Sequence, residues 1–195
     1  MSEIMLFPLG SVVLPEGKMR LRIFEPRYKR LVTDASKGDG TFGICLFERS
    51  KGNLRGKLSS WGTLVKIVDF ESLEDGFLGV TVVGIRRFEF NNLRIEADGL
   101  RFAHVSWLPC WEERAITDEQ NYISLQLQRV YAQFPQIAQL YQQCFFDDAS
   151  WVSQRWLELL PVDFQQFEYL LHQQDCLETM RFLDLTIDRS DRFRH

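Results

Sequence analysis

Between residues 4 and 31 the chain reads IMLFPLGSVVLPEGKMRLRIFEPRYKRL. The apolar positions Met5, Phe7, Leu9, Val12, Leu14, Met19, Leu21 and Ile23 are interrupted by Pro8 and Pro15. From residue 19 to 24 apolar and charged side chains alternate, the period of a half-buried strand. Glu25-Pro26 ends it, because proline removes a donor and restricts the residue before it. Proline is tolerated in a first helical turn, and Tyr28, Leu31, Val32 and Ala35 follow at helical spacing. The pattern predicts strand, turn, strand and a short helix.

Lys37-Gly38-Asp39-Gly40 supplies a turn, and residues 42–47 read as a buried strand. Residues 48–60, ERSKGNLRGKLSS, are too polar for a core and read as a long hairpin or surface loop. Strands are expected over 61–70 and 77–83, joined by Glu74-Asp75-Gly76, with Gly84 breaking the chain before IRRFEF. Asn91-Asn92 and Asp98-Gly99 read as further turns, and 102–108 as a last strand closed by Pro109. Short strands between Gly, Asn and Asp turns predict a closed or nearly closed all-β unit.

The period then changes. Thr117 and Gln120 suggest a capping box for a helix over about 118–134, with Ile123, Leu127, Val130 and Phe134 on one stripe and Pro135 ending it. A second helix is expected over 137–146, and a third carries Val152, Trp156, Leu159 and Leu160 up to Pro161. Asp163 with Gln166 starts a last one through Phe167, Leu170, Leu171, Leu177, Met180 and Leu183. The expected layout is a β domain over 1–110, an α-helical domain over 111–188 and a disordered tail over 189–195.

Charge follows the same division. Residues 1–110 hold 16 Lys or Arg against 13 Asp or Glu, a balance of +3, and residues 111–195 hold 7 against 14, a balance of −7. All lysines lie in the first part, and no concentrated positive field favours nucleic acid in general. No apolar run is long enough to span a bilayer and no basic leader precedes one, so a cytoplasmic, non-membrane protein is expected. Cys45, Cys110, Cys144 and Cys176 are scattered without zinc or redox spacing, and Cys45 in FGICLF reads as core.

Catalytic signatures are lacking: the chain has no HExxH, Gly-x-Ser-x-Gly, Walker or dinucleotide motif. His104 falls on the polar side of a strand, His172 in a helix and His195 at the end, with packing or surface as the plainer reading of each. Arg22, Glu25, Arg27 and Arg30 suit either an anionic ligand or ion pairs that fix the helix to the sheet, and the structural role is preferred. Trp107 and Trp111 lie near the domain boundary. Trp151 and Trp156, five apart, point about 140° from one another on a helix. One is expected to pack and the other to be partly exposed. These four tryptophans form the candidate binding surface, at a groove suited to a peptide.

Phe7-Pro8-Leu9, Leu14-Pro15-Glu16-Gly17, the LRIFEPRY of Leu21 to Tyr28, Phe42-Gly43, Gly62-Thr63, VDFESLEDG from Val68 and the GxRRF element ending at Phe88 resemble the Lon protease N-terminal domain family. Leu160-Pro161 and the segment to Leu183 resemble its helical part more weakly. The resemblance implies an α+β fold, a PUA-like curled β-barrel with one short helix followed by an α-helical bundle. It marks Arg22, Glu25, Pro26, Arg27 and Tyr28 as the structural signature.

The 195 residues contain no ATPase or protease region, so the resemblance is to stand-alone bacterial members. It implies a non-enzymatic protein- or peptide-binding module akin to a substrate-recognition domain, with no cofactor and no metal. The expected partner is a protein or unfolded polypeptide linked to proteolysis, and self-association is compatible with this. RNA binding through Lys51, Arg55 and Lys57 is the alternative, followed by a small Cys- or His-dependent enzyme.

Overall fold

The computed structural model describes residues 2–48, 56–74 and 76–187, which divide between two compact units, Met1–Pro109 and Cys110–His195. The first unit is built from β1 (Ser2–Leu9), β2 (Lys18–Ile23), α1 (Pro26–Lys37), β3 (Thr41–Glu48), β4 (Lys57–Ser72), β5 (Leu78–Ile95) and β6 (Arg101–Trp107). The sheet order is β2-β5-β4-β3-β1-β6, and β6 also pairs with β5, so the sheet curls and closes on itself. β1 and β3 run parallel, with Leu6 opposite Gly43 and Leu9 opposite Leu46; the other pairs are antiparallel.

Successive residues of a strand face opposite ways, and here both faces are covered. Leu6 and Cys45 pack with Phe88, Phe90, Ala103 and Val105. Their neighbours Phe7 and Ile44 pack on the other side with Leu21, Ile23, Phe42, Val80 and the buried face of α1. That face is Tyr28, Leu31, Val32 and Ala35, the four positions read from helical spacing. Two buried faces explain the nearly continuous apolar runs of β1 and β3.

Gly84 does not break the chain. β5 passes through it as one strand of 18 residues, and the loop after β1 crosses over it. The Glu16 N–H donates to the Gly84 carbonyl at 2.8 Å, and the Gly84 N–H to the Gly17 carbonyl at 2.8 Å. A Cβ there would stand 2.0 Å from the Leu14 carbonyl oxygen. The glycine therefore serves close backbone approach. Asn91-Asn92 also makes no turn; the pair lies in a register shift between Phe90 and Leu93 against β6. β5 is long enough to take β2 along residues 78–83 and β6 along 88–95 of the same edge.

The second unit contains a 3₁₀ turn at Asp118–Gln120, then α2 (Asn121–Gln133), α3 (Pro135–Ala138), α4 (Ala149–Leu159), α5 (Phe164–Leu171) and α6 (Leu177–Thr186). Thr117 makes no side-chain cap, so the capping box expected there does not form. Asp163 does cap α5, accepting from the Gln165 and Gln166 N–H groups. The helix expected over 137–146 ends at Ala138. Beyond it the chain wraps Trp151 with Tyr141, Phe145 and Phe146, ring centres 5.5 to 6.2 Å from the indole. The last expected helix is two, broken between Leu171 and Leu177.

α4 is the centre of this unit. All residues from Ala149 to Leu157 are buried, polar ones included. Arg155, fully buried, forms a double ion pair with Glu158 (Nε to Oε2 2.8 Å, Nη2 to Oε1 3.0 Å) and lies 5.4 Å from the Trp151 ring centre. Asp148 caps the helix through the Ser150 N–H at 2.9 Å and also accepts from the Arg114 N–H at 3.0 Å. The tail expected to be disordered lies outside the described residues.

Candidate functional site

The end of β1, the end of β2 and the start of α1 bound a cleft of about 580 Å³ in the first unit. Its apolar lining is Phe7, Pro8, Leu9, Phe24, Tyr28 and Phe47. Arg22, Arg27 and Arg101 supply positive charge, and Glu25 and Glu48 negative charge. The volume lies in the range of small-ligand sites, and the mixture of apolar walls with few charged groups is typical of them.

Each wall has a local cause. β2 places Leu21 and Ile23 in the core and leaves Arg22 exposed. Glu25 takes extended backbone before Pro26 occupies the first turn of α1, which turns Arg27 and Tyr28 back toward β1. The Tyr28 ring lies 4.2 Å from that of Phe7, and the Arg27 guanidinium 4.8 Å from the Tyr28 ring centre. Arg27 pairs with Glu25 at 2.7 Å and donates to the Gly99 carbonyl at 3.5 Å. Gly99 has φ 84, and a Cβ there would come 3.0 Å from the arginine nitrogen, so glycine both makes the turn and leaves room. Burial pushes the Tyr28 hydroxyl above its ordinary range, against the opposing charges of Arg27 and Arg101.

The signature residues divide between two tasks. Arg22, Glu25, Arg27 and Tyr28 line the cleft, while Pro26 starts the helix. Arg30, one turn on, instead ties α1 to the β5–β6 turn through Glu96 at 2.6 Å and Asp98 at 2.9 Å. Arg27, through Glu25 and the Gly99 carbonyl, and Arg30, through Glu96 and Asp98, both make contacts of the structural kind expected of this cluster.

The candidate tryptophans do not form a surface. Trp151 is 1% exposed, Trp156 7% and Trp111 9%. The Trp156 indole donates to the Ile123 carbonyl at 3.0 Å, and the Trp111 indole to the Gln173 carbonyl at 2.9 Å. The expectation that one of Trp151 and Trp156 is partly exposed fails because α4 is enclosed on all sides. Trp107, half-buried on β6, meets Phe88 edge-on at 6.4 Å and carries the Arg86 guanidinium 5.4 Å from its ring.

Other candidates also resolve. His104 and His172 are exposed, and His172 Nδ1 lies 2.6 Å from the Glu168 carbonyl oxygen. His195 is outside the described residues. Burial pushes the Cys45 and Cys176 thiols up, which suppresses the reactive thiolate. Of the basic loop residues, Lys51 and Arg55 lie outside the described residues and Lys57 is exposed at the start of β4. Among the described residues no group of three or more His, Cys, Asp or Glu could hold a metal, and no helix is long and apolar enough to cross a membrane.

Sequence reasoning missed Phe24, Phe47, Glu48 and Arg101 as site residues. Phe24 did leave a signal. It follows Ile23 directly, out of phase with the alternation of β2, and its side chain is 56% exposed.

Comparison with known proteins adds a match over residues 3–178 to the ATP-dependent protease La (LON) substrate-binding domain. A Lon N-terminal domain protein from Xanthomonas campestris has a TM-score of 0.74 at 30% identity, covering 96% of this chain and 100% of that one. The N-terminal domain of Mycobacterium avium complex Lon protease has a TM-score of 0.61 at 19% identity with the same coverage, a likeness of fold. Cereblon from Gallus gallus is 27% identical over 118 residues, 59% of this chain and 25% of that protein. The chain thus spans about a quarter of the length of that curated relative.

Proposed function

We propose that this chain, which belongs to the ATP-dependent protease La (LON) substrate-binding domain family, recognises protein or peptide segments in the cleft of its first unit and acts by binding rather than by chemistry. Membership rests on a match across residues 3–178 and is the premise of the reading. A polypeptide partner linked to proteolysis is the corresponding expectation.

The observation that carries the assignment to this cleft is Phe24. A large aromatic side chain held 56% exposed at the mouth of a cleft, beside arginines, is the kind of group that dominates binding energy at protein interfaces. The tryptophans of the second unit are buried, Trp111 and Trp156 bonded to backbone carbonyls and Trp151 ringed by aromatic side chains. Recognition by Trp151 or Trp156 would require unpacking α4.

Fluorescence anisotropy of a labelled, chemically unfolded polypeptide against wild type and Phe24→Asp tests the reading. The substitution falls on an exposed side chain, so circular dichroism and the melting temperature should be unchanged while affinity drops about tenfold or more. Equal affinity in the two proteins, or no binding by wild type, would overturn it.

A further inference from the structure

We infer that the cleft is shaped for the C-terminal residue of a peptide, with its free carboxylate against Arg22 and Arg101 and its apolar side chain against Phe24 and Phe47; this deepens the recognition role proposed above and rests on it.

Charge gives the first argument. The cleft holds three guanidiniums and two carboxylates, a surplus of one positive charge, which suits a monoanion. Glu25 is engaged with Arg27 at 2.7 Å, and Arg22 and Arg101 are the other cations of the lining. The planar fork of arginine matches a carboxylate in two-pronged geometry.

Size and shape give the second. A volume of about 580 Å³ accommodates one or two residues rather than a long segment, and it places cationic and apolar walls side by side. A terminal residue carries its carboxylate and its side chain on one Cα and can meet both walls at once. An acidic side chain within a chain would need the polypeptide to continue past the cleft in both directions. Pro8, on the β1 wall, has no N–H to offer a passing strand.

The test uses the full chain and short labelled Gly/Ser peptides ending in leucine or phenylalanine, each as free acid and as carboxamide. A third peptide carries an internal glutamate and an amidated end. The free acids should bind about tenfold or more tightly than the amides and the internal glutamate should not restore binding. Arg22→Gln and Arg101→Gln should each erase the difference, with melting temperature checking the fold; Arg22 is exposed and serves if the Arg101 variant is unstable. Equal affinity for acid and amide, both lost in Phe24→Asp, would overturn this inference and leave peptide recognition standing. Displacement by equimolar inorganic phosphate would overturn it in favour of a phosphoryl ligand. Failure to bind both these peptides and the unfolded polypeptide would remove recognition itself.

Discussion

The Arg22 guanidinium sits 4.8 Å from the ring centre of Phe77, a residue outside the lining of the cleft. Phe24 meets the same ring edge-on at 6.1 Å. One phenylalanine just before β5 therefore contacts both the exposed cation of β2 and the exposed aromatic that follows it at the cleft. Phe77→Leu keeps an apolar contact and removes the ring's attraction for the cation. It should weaken peptide binding about threefold with little change in melting temperature, as read by anisotropy and circular dichroism.

Gly84→Ala should be far more damaging. The new methyl would meet backbone at Leu14, which has no rotamer to move, and the paired hydrogen bonds with Glu16 and Gly17 would be strained. A loss of about 3 kcal/mol or more is expected, seen as a lower urea midpoint with an unchanged slope.

The buried Arg155–Glu158 pair makes a second stability prediction. Glu158→Ala leaves a fully buried guanidinium without its double partner and should cost about 3–5 kcal/mol in denaturant unfolding. Replacing both residues with apolar ones of similar size should recover most of the loss.

Alkali should also destabilise the fold. Burial, with the neighbouring Tyr141 adding to it, pushes the Tyr131 hydroxyl far above its ordinary value of 10.0. The folded state holds this proton more tightly than the unfolded state does. Stability from this group is complete below the ordinary value and is lost as pH rises above it. Burial acts in the same direction on Cys45 from its ordinary 9.0. Urea unfolding at increasing pH should show the decline, and Tyr131→Phe should flatten the portion due to that residue.

Much of the first unit was legible because its signals are local. The Met19–Ile23 alternation, the Pro26 start and the spacing of Tyr28, Leu31, Val32 and Ala35 describe β2 and α1 almost as they stand. Gly84 and Asn91-Asn92 misled, since a glycine needed for close approach and residues in a register shift look like turns when their distant partners are unknown. In the second unit, 139–146 carries helical spacing, yet its aromatic rings gather around Trp151, and tertiary packing overrides local preference. The site was half visible. Arg22, Glu25, Arg27 and Tyr28 stood in one motif, but Phe47 and Arg101 join them only when β3 and β6 close the sheet.

The most direct test of the central claim is a backbone amide NMR titration of the isotopically labelled full chain with an unlabelled peptide ending in a free phenylalanine. The account predicts saturable shifts concentrated at Leu9, Arg22, Phe24, Phe47 and Arg101, with α4 of the second unit unaffected. Shifts confined to the second unit around Trp111, Trp151 and Trp156, or no shifts at all, would contradict it.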